Sequence, residues 1–246
     1  MTAHPHPALR GAAVVMAALA LVGCESSQEQ SAKLERAAKL AAAHEAHVDK
    51  GLTITRESTD VKVLSANVVT SSEGAAAVVT VRNDSSQTLA SVPIAIDVKG
   101  ATGKTLFQND AAGLEPALTT ISLVPAHGEA TWADDQLPRS GQPVSVAVRL
   151  GEVPAVSGPT PRVEVQSLHP EEAGAGAAGT VRNRSQVAQH KLVVFAVARR
   201  AGRVVAAGRA VLPELAPGAS APFQVFFVGS AAGASLQASA PATTLG

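Results

Sequence analysis

Few side chains in this 246-residue sequence have the chemistry of a reactive site. The sequence contains one cysteine, Cys24, and seven histidines. A single thiol excludes an intramolecular disulfide framework and any zinc or iron–sulfur site built from several cysteines. A single cysteine can still act as a nucleophile, because its thiolate form is strongly nucleophilic. Cys24 is therefore the first candidate for a covalent modification.

Two histidines near the N-terminus have the spacing of a metal-binding pair. His44 and His47 are three residues apart, which places both imidazoles on one face of a helix. The H-E-x-x-H motif requires two residues after the glutamate, and here only Ala46 separates Glu45 from His47. No third ligand lies nearby in the sequence, so we interpret the pair as a solvated helix face.

Four carboxylates form the one set that we would test for calcium: Asp110, Glu115, Asp134 and Asp135. Calcium takes roughly six to eight oxygen ligands. No spacing rule joins these residues, and we predict that they form an exposed acidic turn. The sequence therefore predicts no metal site.

The remaining features argue against catalysis and against nucleic-acid binding. The sequence has no G-x-S-x-G nucleophile motif and no phosphate-binding loop, and His127, His169 and His190 are scattered near predicted turns. The 20 basic residues balance the 20 acidic ones, and aromatic residues make up 2%. The basic stripe and stacking rings typical of nucleic-acid-binding proteins are therefore missing. We predict a protein that is not an enzyme.

The segment before Cys24 has the layout of a secretory signal. Arg10 precedes an uncharged run over residues 11–23. Its length is within the roughly 7–15 residues of a signal-peptide core and short of the ~20 of a membrane-spanning helix. The run ends at Leu21-Val22-Gly23-Cys24, which resembles the lipobox of bacterial lipoproteins: leucine, a small or aliphatic residue, glycine or alanine, then cysteine.

The lipobox resemblance implies a defined processing. Residues 1–23 would be a signal peptide removed by cleavage between Gly23 and Cys24, and the Cys24 sulfur would carry a diacylglycerol. A further acyl chain such as palmitate would cap the new N-terminus, and two or three chains give stable anchoring. The mature protein would be held at the extracytoplasmic face of a cell membrane, inner or outer. This covalent lipid is the only cofactor expected.

Residues 24–50 are predicted to form the lipid anchor and a helical stalk. The stretch 28–50 lacks proline and glycine and is rich in strong helix formers. Its thin apolar stripe favours a spacer or a loosely docked helix over a strongly dimerising coiled coil.

From residue 51 onward, short alternating apolar runs separated by turns predict an all-β fold. In the first half we predict strands over residues 61–69, 77–83, 92–98, 105–108, 120–124, 130–133 and 144–150. About seven short strands in ~100 residues is the pattern of an immunoglobulin-like sandwich. We predict two tandem Ig-like β-sandwich modules, residues 51–152 and 162–246, joined by a proline- and glycine-rich linker at 153–161.

The two predicted modules share short sequence motifs in the same order. Thr80-Val81-Arg82-Asn83 returns as Thr180-Val181-Arg182-Asn183, each followed by x-Ser. Gly103 and Pro125 are 22 positions apart, whereas the equivalent Gly202 and Pro217 are 15 apart. The first module therefore has an insertion of seven residues, near residues 110–118. We therefore interpret the chain as two diverged copies of one β module.

The second module resembles the FxLYD-type domains of bacterial envelope proteins. Their G-x-V-x-N-x-S, F-x-L-Y-D and L-x-P-G-x-S waypoints are matched over residues 179–185, 195–199 and 215–220. Phe195 and Val197 take the F and L positions, whereas Ala198 and Arg199 stand in place of tyrosine and aspartate. The resemblance implies an Ig-like sandwich outside the cytoplasm and no catalytic residues.

Three single residues belong to the predicted framework of the modules. Trp132, the lone tryptophan, is interpreted as a core anchor rather than an exposed binding residue. Asn83 and Asn183 fit the N-glycosylation sequon, but we interpret N-x-S as a turn-closing motif.

These features favour a membrane-anchored lipoprotein that acts as a non-catalytic protein-binding or structural component of the cell envelope. Its partner would be an envelope protein of unknown identity, contacted through sheet edges or the inserted segment. The alternative is a small-ligand or metal-binding envelope lipoprotein.

Overall fold

The structure, a computed structural model, describes residues 51–72 and 74–246. The predictions for the signal peptide, Cys24, the stalk and the His44/His47 pair lie outside these residues and stay predictions. Within the described residues, no helix is long and apolar enough to cross a membrane.

The protein is mostly β, with 59% of the structure in strands of antiparallel sheets. The first seven strands are β1 (Val61–Thr70), β2 (Ala75–Asn83), β3 (Leu89–Gly100), β4 (Thr105–Gln108), β5 (Thr120–Val124), β6 (Glu129–Leu137) and β7 (Pro143–Leu150). The next seven are β8 (Val163–Pro170), β9 (Gly176–Asn183), β10 (Gln189–Arg200), β11 (Arg203–Leu215), β12 (Ser220–Phe226), β13 (Val228–Gly229) and β14 (Ser235–Ser239). One short helix, α1 (Pro116–Thr119), precedes β5, and a 3₁₀ turn covers Glu172–Gly174.

Each strand predicted in the first half is present, and those at 105–108 and 120–124 have the predicted bounds. Alternation identified them because successive side chains of a strand point to opposite faces of its sheet. Ile94 and Ile96 are buried as expected. Val144 was expected on the same buried side as Val146 and Val148, but it is 57% exposed. The pairing of β3 with β7 is irregular beside it, between Lys99 and Gly100.

The strands form four sheets that pack as facing pairs. In the first half, β1-β2-β6 faces a sheet in which β3 pairs with β4, β5 and β7. In the second half, β8-β9-β12 faces β13-β11-β10-β14. Apolar residues fill each space, with Val79, Ile94 and Trp132 in the first cluster and Val181 and Phe223 in the second.

Strand β10 is buried on both faces and joins these two clusters. Leu192 and Val194 belong to the second cluster, whereas Val193, Phe195 and Val197 belong to the first. The sheet that contains β10 and β11 is therefore packed against β1-β2-β6 on one side and against β8-β9-β12 on the other. A continuous apolar run, here residues 192–198, is what a strand covered on both faces requires.

The predicted linker begins as an ordered edge of the first half. The backbone N–H of Val156 donates to the carbonyl of Thr88 (2.9 Å), and Ala155 forms an antiparallel bridge with Leu89. Together with the packing across β10, these contacts place all described residues in one compact unit.

The two N-x-S motifs close equivalent turns. The Asn83 side chain donates to the carbonyls of Gln87 (2.7 Å) and Val124 (3.3 Å), and it accepts from the N–H of Ser85 (3.0 Å). Both asparagines are fully buried, so neither amide is placed to carry a glycan. The turn-closing interpretation is confirmed.

Asn183 makes the same hydrogen bonds in the second half, to the carbonyls of Val187 (2.8 Å) and Leu215 (3.1 Å). Asn183→Ala is expected to lower the free energy of unfolding by about 2 kcal/mol, because buried carbonyls lose their donor. Urea denaturation followed by circular dichroism measures the change. Asn67→Ala, at a half-buried position of β1, is the control, and an equal loss in both variants would contradict this role.

Candidate binding groove

The first half carries an excursion that the second half lacks. In the first half, β4 and β5 both pair with β3 and are separated by residues 109–119. In the second half, the single strand β11 pairs with β10 along its whole length. In the first half, the residues that pair with Leu89 and Lys99 of β3 are 19 sequence positions apart. In the second half, the residues that pair with the equivalent Gln189 and Arg199 of β10 are 11 positions apart. The predicted insertion is therefore present, and by strand register it is eight residues long rather than seven.

Buried polar side chains fix this inserted segment, residues 109–119. Asn109 is fully buried, donates to the carbonyls of Leu118 (2.7 Å) and Ile94 (2.8 Å), and accepts from the N–H of Ile96 (2.7 Å). Its amide thus holds both ends of the excursion against β3.

Trp132 holds the inserted segment from the other side. The indole is fully buried, as predicted, and its Nε1 donates to the carbonyl of Ala117 (2.8 Å). The main core anchor of the first half therefore also positions α1.

A groove of about 430 Å³ lies between the inserted segment and the outer part of the β10–β11 sheet. Val193, Val211 and Pro213 are its apolar floor, Glu115–Ala117 form one wall, and Lys191 and Thr243 lie at its other side. We call this site the interface groove. It is concave, largely apolar and located between two packed sheets, as ligand sites commonly are.

The wall at Thr243 is fixed by one buried amide. Gln189 is fully buried, and its Oε1 accepts from the N–H groups of Thr243 (2.9 Å) and Thr244 (3.2 Å). The Thr243 hydroxyl donates to the carbonyl of His190 (2.7 Å). Both walls of the groove are thus held by hydrogen bonds from buried side chains, which is the condition for a preorganised site.

A buried ion pair next to Glu115 of the groove wall connects the two halves, and neither of its residues lines the groove. Asp135 on β6 accepts from Arg209 Nε (3.2 Å) and from the Arg209 backbone N–H (3.0 Å). The Arg209 side chain is 5% exposed. Its NH1 is buried without a hydrogen-bond partner and lies 3.9 Å from Glu115 Oε2.

This ion pair changes the interpretation of the predicted acidic set. The expectation of an exposed acidic turn is wrong for Asp134 and Asp135, since both lie on β6 and Asp134 is 1% exposed. Glu115 and Asp135 do come together, but around a guanidinium; Asp110 remains exposed. Among the described residues, no group of three or more acidic, histidine or cysteine side chains could hold a metal ion.

Burial raises the pKa of Asp134, against the opposing effects of its hydrogen bond from the Gln136 N–H (2.9 Å) and of the Arg209 charge. A carboxyl whose pKa is higher in the folded state adds stability below its unfolded pKa and loses that stability as pH rises through the folded pKa.

Asp134→Asn is therefore expected to raise the free energy of unfolding at pH 7, and the gain should disappear near pH 3. Urea titrations at the two pH values measure it. Asp110→Asn, at an exposed position, should change neither value. A loss of stability at pH 7 in Asp134→Asn would show that the ionised carboxylate is required.

The predicted histidines do not converge. His127 lies in the turn between β5 and β6, His169 is exposed on β8, and His190 is exposed and lines the interface groove. Arg209, Asn109 and Gln189 were not predicted as site residues. The available signal for Arg209 was a lone cation inside the apolar strand sequence 204–212.

Comparison with known proteins adds little to this geometry. No family model and no curated protein sequence matches the chain. Among solved structures, the crystal structure of red sea bream transglutaminase aligns over 88% of this chain and 32% of its own, at 14% identity and a TM-score of 0.21. The chain thus spans about a third of that protein, and a TM-score this low carries no argument.

Proposed function

We propose that this protein is a membrane-anchored lipoprotein of the extracytoplasmic face that acts as a non-catalytic, protein-binding or structural component of the cell envelope. The observation that carries the proposal is the position of Cys24. The only thiol of the chain stands at the one lipobox position where acylation would use it. Such a protein needs a rigid body, and the four packed sheets suit that role.

We further propose that this body is a tandem of Ig-like sandwiches, over residues 51–152 and 162–246. The matched turns at Asn83 and Asn183, the two facing pairs of sheets and the FxLYD-type waypoints support this interpretation. The close packing across β10 would make the tandem one rigid unit, since inter-domain motion is favoured by small, polar interfaces and opposed by apolar ones.

The interface groove supports a binding role over a purely structural one. Its inserted wall is dispensable for a sandwich, because β11 completes the second half without an equivalent. Three buried side chains nevertheless position its walls: Asn109, Trp132 and Gln189.

The same groove favours the small-ligand form of the alternative function, because its size is within the range of small-molecule sites. The metal-binding form gains no support, since the carboxylate of Asp135 is already neutralised by Arg209.

Fractionation of cells tests the anchor. Cys24→Ala is expected to move the protein from the membrane fraction to the soluble fraction, because the lipid chains supply the membrane affinity. Gly23→Ala keeps the lipobox pattern and should remain in the membrane fraction. Retention of Cys24→Ala in the membrane would exclude the lipid anchor, and mass spectrometry of the mature N-terminus would show whether acylation occurs.

A further inference from the structure

We propose that the outer face of the β8-β9-β12 sheet binds a second copy of this chain and forms a two-fold symmetric dimer. The inference uses described residues only, so it does not depend on the anchor proposed at Cys24. Three features carry it: the equivalent face of the first half is covered by a sheet, an aromatic side chain is exposed on this face, and the two ends of the face have opposite charges.

The outer face consists of the side chains that point away from the second apolar cluster. Val181 and Phe223 point into that cluster, and the alternate residues of β9 and β12 therefore point outward. The strand register arranges the outward residues in rows across the three strands. The first row is Phe226, Gly176 and Glu171, and the last row is Ser220, Arg182 and Glu164. We call this surface the uncovered face.

The equivalent face of the first half is covered by the β10–β11 sheet. Val78 points to that side of β2 and is fully buried, and Thr80 on the same side accepts from Arg199 NH2 of β10 (3.5 Å). Ala178 is the counterpart of Val78, since each lies five positions before the asparagine of its N-x-S turn, and it is only half-buried. The same type of face therefore takes a sheet as its cover in one half and lies open in the other.

Phe226 is a large apolar side chain that the fold leaves in water on the uncovered face. It is 71% exposed, and the residue that pairs with it is Gly176, which has no side chain to cover the ring. Exposed aromatic rings that become buried on association supply much of the energy of protein interfaces. The uncovered face therefore has the anchor that a docking surface needs.

The end of the uncovered face next to Phe226 is acidic. Glu171 lies in the row of Phe226, and Glu172 follows it in the exposed 3₁₀ turn. Neither carboxylate takes part in an ion pair within the part of the chain that the structure describes. Both negative charges are therefore available to a second copy.

The opposite end of the uncovered face is basic. Arg162 and Arg184 both pair with Glu164, at N–O distances of 2.7 Å and 2.9 Å. Arg182 lies in the same row as Glu164, and its buried Nε has no hydrogen-bond partner. Three guanidinium groups thus share one carboxylate. Either Arg162 or Arg184 can turn to a carboxylate of another molecule without leaving Glu164 unpaired.

Opposite charges at its two ends make the uncovered face complementary to itself. A two-fold axis across the strands, between Ala178 and Thr180 of β9, places the acidic end of one copy over the basic end of the other. Phe226 then lies over the end that contains Arg182 of the second copy, and a guanidinium can stack on an aromatic ring. A two-fold axis along the strands would instead place Phe226 over Glu171, so the charges select the first arrangement.

The outer side of β3 argues against an open chain of copies. In a head-to-tail stack, β3 of a second copy would cover the uncovered face as β10 covers the first half. Counted from the two N-x-S turns, the positions of Val193, Phe195 and Val197 on β10 correspond to Pro93, Ala95 and Asp97 on β3. A stack would therefore remove the Asp97 carboxylate from water at a position where β10 has an apolar side chain. A two-fold contact closes at the dimer, because both copies use the same face.

Sedimentation velocity of the purified full chain, from about 1 to 500 μM, measures the association. The face is roughly 20 Å long, from Ser220 to Phe226 at ~3.3 Å per residue, so we expect a weak dimer that forms within this range. Phe226→Ser should weaken the association at least about tenfold, because it removes the anchor. Val144→Ser, at an exposed valine of the first half, is the matched control and should associate as the wild type does.

Charge reversals test the two-fold arrangement. Glu171→Arg and Arg184→Glu each place like charges at both symmetry-related contacts, so each variant alone should associate at least about tenfold more weakly than the wild type. In an equal mixture, the two variants bring opposite charges together at both contacts and should form a heterodimer. The chain that carries both reversals should dimerise with itself.

A wild type that stays monomeric over the whole concentration range would overturn the inference. Oligomers that grow beyond the dimer would overturn it as well. So would association that persists unchanged in Phe226→Ser, or a mixture of the two reversal variants that associates no better than either variant alone. The anchor at Cys24 is tested separately, because the membrane fraction of Cys24→Ala does not depend on this face.

Discussion

Trp132→Ala is expected to lower the free energy of unfolding by about 3–5 kcal/mol, the range for removing a large buried aromatic side chain. The indole is fully buried in the cluster between the first two sheets. Few large side chains in this alanine- and valine-rich core could move into the vacated volume. The loss includes the hydrogen bond from Nε1 to the carbonyl of Ala117 (2.8 Å).

Trp132→Phe separates these contributions. Phenylalanine keeps most of the packing but cannot donate to Ala117, so we expect a smaller loss, about 1–3 kcal/mol. Because the variants lack the only tryptophan, urea denaturation is followed by far-ultraviolet circular dichroism. A loss below about 1 kcal/mol in Trp132→Ala would contradict the role of this residue as the core anchor.

Breaking the ion pair between Asp135 and Arg209 is expected to cause the second largest loss in the free energy of unfolding. Asp135→Ala leaves the buried guanidinium with only the exposed Glu115, 3.9 Å from NH1, as a counter-charge, and breaking a buried pair costs about 3–5 kcal/mol. Arg209 is 5% exposed and Asp135 is 19% exposed, so solvent screens the interaction only weakly. The loss should therefore approach that range.

A double-mutant cycle measures the interaction itself. Replacing both residues, as in Asp135→Leu with Arg209→Met, should recover part of the stability, because the guanidinium no longer lacks a partner, whereas the buried Asp134 loses the favourable charge of Arg209. The exposed pair Arg149–Glu57, with N and O atoms 2.8 Å apart, is the matched control. Its removal should cost no more than about 1 kcal/mol.

The unfolding profile carries further information about the two halves. Since β10 contributes side chains to both apolar clusters, the wild type should unfold in one transition. If Asp135→Ala left stability unchanged, the ion pair would be incidental to the contact between β6 and β11. If it split the transition in two, the pair would be what couples the halves.

The strands could be predicted closely from sequence, because alternation is a local property. The bounds of β4 and β5 were predicted to the residue, and the others differed by a few positions at their ends. The double burial of β10 was not predicted, although residues 192–198 form an uninterrupted apolar run. Such a run is compatible with a buried strand or a buried helix segment, and only the packing partner distinguishes them.

The candidate site could be predicted only in part. The inserted segment was placed correctly because it disturbs a repeat that is visible in the sequence. Its interaction with Arg209 was not predicted, since Glu115 and Asp135 reach that residue from positions 94 and 74 residues away. No spacing rule connects residues across that distance.

Sequence alone determined the features that depend on neighbouring residues. These are the alternating strands and the N-x-S turns, which follow from local chemistry and local backbone preference; the lipobox resemblance at Cys24 also rests on neighbouring residues and stays a prediction. The tertiary structure decided which polar residues meet. Asn109, Gln189 and Arg209 acquire their roles only when distant strands pair and pack, because burial turns each unsatisfied polar group into a requirement for a specific partner.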